Sequence, residues 1–201
     1  MKWQDFKIDD SIISIFAKGQ SANIEEDEYE FIKNRTFVIG LNEFSRTPHM
    51  RFWNDVGIAY LYDRYYKNRE KDCLLSTRMQ TLVHEKLPIK QKIDVTWDTL
   101  EDELNRDKIT LMSCLELITK YMSNKTVMLF GVDCDETKTE RLTYDPVSDS
   151  FKIENRKGYG DYLNKTRKML EIYSIGKPII NCNVDAPIDM QKMDWFEVLV
   201  R

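Results

Sequence analysis

The chain lacks most of the features that would place it outside the cell or in a membrane. Only four cysteines occur in 201 residues, Cys73, Cys114, Cys134 and Cys182, and no two have C-x-x-C spacing. That scatter excludes a recognisable zinc cage or disulfide framework and predicts reduced thiols in a cytoplasmic setting. The opening MKWQDFKIDD has no apolar centre of the signal-peptide kind, and no apolar run approaches ~18 residues, so no transmembrane segment is expected. Basic excess is missing too: a net charge of -4 argues against a large non-specific nucleic-acid surface. With seven glycines, neither G-x-G-x-x-G nor a Walker A loop is present. The two histidines, His49 and His84, read as surface residues.

What is present is a core and an alternation. Ten Tyr, nine Phe and four Trp in a chain that is 42% hydrophobic supply one substantial interior. The length is too short for two ordinary domains, so residues 1–201 are expected to form one. Ile12 to Phe16, Thr36 to Leu41 (TFVIGL), Gly57 to Leu61, Asp72 to Ser76 and Val127 to Val132 (VMLFGV) read as strands, with a last short one at Lys177 to Asn181. Helices are expected over 25–33, 110–122 and 161–173, and a short helix or turn over 97–106. Residues 142–153 read as a hairpin around Asp145-Pro146. Strands alternating with helices predict an α/β domain with a mostly parallel sheet covered on both faces and a small β-hairpin insertion.

In such sheets ligands bind beyond the carboxyl ends of the strands. Four strand-end or helix-start positions therefore stand out. Lys18-Gly19-Gln20-Ser21 after the first strand offers a glycine, a hydroxyl and helix N–H groups to a phosphate, or simply turns the chain. Asn42 beyond TFVIGL could bond a base or ribose, or cap a turn. Thr110 opens an apolar helix, as an N-cap or as a ligand contact. Asp133 puts a carboxylate at the end of the most apolar strand. Asp133-Cys134-Asp135 has the D-x-D form that holds Mg²⁺ or Mn²⁺ against a diphosphate, with Glu136 as a further ligand or base; a solvated turn is the alternative.

Together IFAKGQSA, FVIGLNEF, KIT before the apolar helix and VMLFGVD resemble the motifs of small bacterial sialyltransferases of the lipooligosaccharide type. In those the first loop reads Gly-Asn-Gly-Pro-Ser, and a later strand ends Gly-Ile-Asp. The first loop is similar also to that of 6-hydroxymethylpterin diphosphokinase-like enzymes. The likeness spans roughly residues 11–185 and implies a Rossmann-like fold. It implies that Lys18, Gly19, Gln20 and Ser21 form a nucleotide-phosphate loop, that Asn42, Thr110 and Asp133 contact a donor nucleotide, and that Asn183 to Ala186 lie nearby. Lys108 would stand where that family has an arginine near the reaction centre. The matching stretch for the family's general base, RKGYGDYLNK, has no histidine; Asp161, Tyr159 or Tyr162 would have to serve. Asp135 and, loosely, Tyr144 fall where the family has two tyrosines that support the leaving phosphate.

The function so implied is a glycosyltransferase that binds a nucleotide-sugar donor and passes the sugar to an acceptor hydroxyl. A diphosphokinase-type transferase using ATP and Mg²⁺, and a catalytically inactive nucleotide- or protein-binding descendant, are the alternatives. Arg156 and Lys157 read as phosphate contacts or exposed charges. In residues 51–69, Phe52, Trp53, Tyr60 and Leu61 read as core; Tyr62 and Asp63 could line a pocket. Arg64, Lys67 and Arg69, interleaved with Tyr65 and Tyr66, read as a solvated helix face. The closing MDWFEVLV reads as an added strand or a dimer contact, which would make the chain a homo-oligomer.

Overall fold

The computed structural model describes residues 1–42, 44, 46–53, 73–78, 93–97, 109–135, 140–145, 150–155 and 159–200. The longest apolar runs become the centre of the sheet: β1 (Ile12–Phe16), β2 (Phe37–Leu41) and β6 (Thr126–Phe130) are almost wholly buried. β3 (Met50–Trp53), β4 (Leu74–Arg78), β5 (Val95–Trp97) and β9 (Ile179–Asn181) extend it on either side. All seven strands run parallel, in the order β5-β4-β3-β2-β1-β6-β9. Near-continuous apolar strands are what a parallel sheet requires, because helices cover both faces. The result is a Rossmann-like α/β domain. A separate antiparallel pair, β7 (Glu140–Asp145) with β8 (Ser150–Asn155), follows β6 in the chain.

The side-chain alternation of the strands sorts the core into two layers. One face carries Ile13, Ile15, Ile39, Leu41, Phe52, Val127 and Leu129. Against it lies α2 (Thr110–Tyr121), buried continuously from Thr110 to Ile118. Met169, Leu170 and Tyr173 of α3 (Tyr159–Tyr173) join the same cluster. The other face carries Phe16, Val38, Met128 and Phe130 beneath Tyr29 and Ile32 of α1 (Glu26–Lys33). Phe16 and Phe130, opposite each other in register, stack at 4.3 Å with 2° between their planes. Both edges of the sheet are covered by single bridges, Lys2 beside Thr96 and Lys192 beside Asn181, which blunts edge-to-edge pairing. No helix among the described residues is long and apolar enough to cross a membrane.

Several expectations change. The expected strand at 57–61, most of the segment at 97–106, His84, Arg156 and Lys157 lie outside the described residues. Two strands went unread: MRFW (β3) and VTW (β5), too short for a clear period. The 72–76 strand runs instead over Leu74–Arg78. The C-terminal run is not an added strand. It is the helix α4 (Trp195–Val200), and its spacing of i, i+3, i+4 lays Trp195, Val198 and Leu199 on the Phe16 face.

His49 is not a plain surface residue either. The β2–β3 pairing starts only at Ile39 and Met50, so the Val38 N–H would lack a partner on that side. It donates instead to His49 Nδ1 at 2.9 Å, and the ring stacks on Phe37 at 5.3 Å. Burial first, then the Lys33 charge, holds this imidazole below its ordinary value, with Asp10 and Glu30 opposing. The unfolded chain therefore takes up the proton more readily. The stability this imidazole supplies is present above the ordinary histidine value and is lost as the pH falls through the folded one. Replacing His49 by Leu should cost about 1–2 kcal/mol at neutral pH, the penalty of a buried N–H left unpaired. It should also flatten the decline in urea-unfolding stability between pH of about 7.5 and 5.5. An equal pH slope in both proteins would refute this role.

Candidate functional site

The strand order reverses between β1 and β6, since β2 to β5 extend to one side of β1 and β6 and β9 to the other. That reversal opens the crevice where doubly wound sheets bind ligands. The chain closes much of it with its own atoms. Beyond the last paired residues the ladder continues, with Ala17 N–H donating to Phe130 O at 2.8 Å and Gly19 N–H to Gly131 O at 2.9 Å. Gly19 has φ of -69°, so no left-handed turn requires a glycine. Space does: a Cβ there would overlap Gly131 O and lie 2.7 Å from Asp133 Oδ2. Gly131 adopts φ of +69°, and a Cβ on it would meet the Ala22 Cβ at 2.8 Å. Two glycines thus interlock so that the β1 loop lies flat on the end of β6.

Into that contact the protein places a carboxylate. Asp133, 9% exposed, accepts the Ser21 N–H at 3.3 Å on Oδ2. Its Oδ1 accepts a short bond from the Ser21 hydroxyl and the Asn183 Nδ2–H at 3.0 Å. Gly131 N–H in turn donates to Ser21 Oγ at 3.1 Å. Asn181, at the end of β9, fixes the strand end from the other side, donating Nδ2–H to Val132 O at 3.0 Å and accepting the Asn183 N–H. The loop's donors are largely committed: Gly19, Ser21, Ala22 and Asn23 all direct their N–H groups to partners within the protein. The next helix is occupied as well. α1 opens with Glu25, Glu26, Asp27 and Glu28, which close a capping box in which Glu25 N–H donates to Glu28 Oε2 at 2.9 Å. Arg46 pairs with Glu26 at 3.2 Å. Carboxylates already stand where a helix N-terminus would attract a phosphate.

One strand over, Asn42 takes φ of +53°, a conformation that Asn tolerates better than other side chains with a Cβ. Its N–H donates to Phe52 O at 3.0 Å, and its carbonyl accepts the Trp53 indole N–H at 3.2 Å. Thr110 is the first residue of α2 and not its cap. The N-cap position is Ile109, and the Thr110 hydroxyl donates to Asn42 Oδ1 at 3.4 Å. Gly19, Ser21, Asn42, Thr110 and Asp133 therefore all lie on the carboxyl edge of the sheet, as two bonded pairs and the glycine between them. Lys18 is half-buried and Gln20 exposed in the same loop. Asp161 lies exposed in the first turn of α3, whose crossover from β6 to β9 brings that end to the same edge. Tyr159 begins the same helix, Tyr162 is 45% exposed on it, and Lys108 and Glu136 lie outside the described residues.

Unforeseen in the sequence were the roles of Asn181 and of the Trp53 indole, a core residue as expected, the close packing of Gly131, and a second non-glycine residue at positive φ, Cys134 at +50°. The clue for Gly131 was Gly131-x-Asp133 itself. Cys134 is no nucleophile at neutral pH: burial, reinforced by the Asp133 charge, pushes its thiol up to about 12. The described donors also do not form a divalent-cation cage. No three ligating side chains converge among the described residues, and both Asp133 oxygens already accept protein donors.

No protein-family model, curated protein or solved structure matches the chain. The site rests on its own geometry.

That geometry sets an order of cost. Gly19→Ala must push Gly131 and Asp133 apart and should destabilise by about 3 kcal/mol, as overpacking does. Gly176→Ala, at φ of +68° with nothing within 4 Å of the new Cβ, should cost only the left-handed strain, about 1 kcal/mol. Urea unfolding of both variants checks the ranking, and equal costs would show that Gly19 is not a packing requirement.

Proposed function

We propose that the chain binds a nucleotide-sugar donor along the carboxyl edge of β1, β2 and β6 and transfers the sugar to an acceptor hydroxyl. One observation carries the reading: polar side chains from four distant stretches, Ser21, Asn42, Thr110 and Asp133, gather on that edge beside the reversal of strand order. The left-handed Asn42 adds to it, since backbone held in sparsely populated regions concentrates at ligand sites. Asn42 would offer its carboxamide N–H to the base or ribose while Thr110 holds its oxygen. Gly19 and Ser21 would shape the wall opposite. Asp161, exposed on the same edge, is the carboxylate in reach of the role of base for the acceptor. The ATP-dependent alternative would need a divalent cation, for which Asp133 and Asp135 would be the ligands.

A second reading has a specific observation behind it. The Asp133 carboxylate fills the loop that would cradle a phosphate, which suits a descendant that keeps the fold and binds without turnover. The two readings separate by experiment. Cytidine and uridine nucleotides and their sugar conjugates should raise the melting temperature of the wild type. Release of free nucleotide with an acceptor present marks the transferase, and binding without release marks the descendant. Asn42→Gly keeps the positive φ at no steric cost and deletes the carboxamide. It should fold normally and lose about tenfold in nucleotide affinity, the worth of one or two hydrogen bonds. No thermal shift with any nucleotide or conjugate would sink both.

A further inference from the structure

Within the transferase reading, on which this inference rests, we infer that the corner made by Ser21, Asp133 and Asn183 receives a sugar hydroxyl and keeps the donor's phosphates away. A carboxylate has about four acceptor positions and no donor. Three are filled: two on Oδ1 by the Ser21 hydroxyl and Asn183, one on Oδ2 by the Ser21 N–H. Among the described residues one position on Oδ2 is left, and only a hydrogen-bond donor can satisfy it. A phosphate oxygen offers the wrong polarity and the wrong charge there. It would also find the amides of Gly19, Ser21, Ala22 and Asn23 already spent on protein acceptors, and four acidic residues, Glu25 to Glu28, at the start of the next helix.

One sugar hydroxyl fits that position. The pairing of Phe16 with both Gly40 and Phe130 puts Asn42 and Asp133 at the ends of the strands flanking β1. Two strand spacings separate those flanking strands, about 10 Å, the length of a nucleoside lying across the end of β1. Asn42 would meet one end of such a ligand as a donor, and Asp133 the other as an acceptor. The hydroxyl has two sources in a nucleotide sugar, the ribose and the transferred sugar, and the same corner serves either.

The test is a calorimetric panel on the wild-type chain, which needs no variant to fold. If ribose fills the corner, cytidine or uridine binds within about threefold of the corresponding monophosphate and the 2′,3′-dideoxynucleoside loses about tenfold or more. If the transferred sugar fills it, the free monosaccharide competes with the nucleotide sugar and the nucleoside binds weakly. In either case millimolar pyrophosphate does not compete. Asp133→Asn, where it folds, should weaken the hydroxyl-bearing ligand about tenfold and leave the contribution of phosphate unchanged. Competition by pyrophosphate, or tighter nucleotide binding by Asp133→Asn, overturns the inference while leaving the transferase reading standing. Absence of binding by every nucleoside, nucleotide, monosaccharide and conjugate overturns both.

Discussion

Everything at the carboxyl edge depends on how closely β1 and β6 approach beyond their paired residues. The 2.9 Å bond from Gly19 N–H to Gly131 O exists only because neither residue has a Cβ to interpose. It brings the short 3-10 turn Gln20–Ala22 down onto the end of β6, and so brings Ser21 within reach of Asp133. The stacked Phe16 and Phe130 beneath fix the register on which that reach depends. An aromatic pair across neighbouring strands adds its own stabilisation, of order 0.2–1 kcal/mol. Its larger effect is to make a slip of one residue costly, because a slip would send one of the two rings to the wrong face.

The neighbouring pair shows the same economy on a different strand. Asn42 holds a left-handed backbone just where β2 ends, and β3 supplies both bonds that keep it there, from Phe52 and from the indole of Trp53. Thr110 then reaches it from α2. A site residue is thus held by a strand and by a helix that come from quite different parts of the chain. Such over-determination is what allows a non-glycine residue to stay at positive φ. The ring of His49, at the head of the same β3, completes the ladder that Val38 lacks. β3 is therefore short but carries much of what orients the edge.

Legibility in the sequence followed burial. β1, β2 and β6 were readable because strands covered on both faces become nearly unbroken apolar runs. α2 was readable for the same reason, being apolar around most of its circumference. MRFW and VTW were not, since three or four residues at the flank of a sheet carry no period that a helix or loop could not also show. WFEVLV misled because a short apolar run fits a strand as well as a helix until its partners are known. Of the candidate site, the positions Gly19, Asn42, Thr110 and Asp133 were legible from their places at the ends of strands or the start of a helix. Their partners were not: Ser21 and Asp133 are 112 residues apart, and Asn42 and Thr110 are 68. No local pattern encodes such pairings.

The Lys-Gly-x-Ser loop illustrates what a short motif can and cannot specify. Its glycine and its amides make a place for negative charge, but they do not say whose charge it is. A bound phosphate and an internal carboxylate satisfy the same donors. What decides between them is the residue that the sheet brings alongside. Beyond the paired Phe16 and Phe130, the left-handed turn at Gly131 brings Asp133 Oδ2 to within 2.7 Å of where a Gly19 Cβ would stand. With a neutral residue at that position only the Ser21 N–H and hydroxyl would be released, because the Gly19, Ala22 and Asn23 amides donate to main-chain carbonyls. With Asp there, the loop is filled from within, and the polarity of the crevice is inverted from one that attracts acceptors to one that attracts donors. The chemistry of the crevice is therefore set by one strand-end residue on β6, and not by the motif on β1 that first draws the eye.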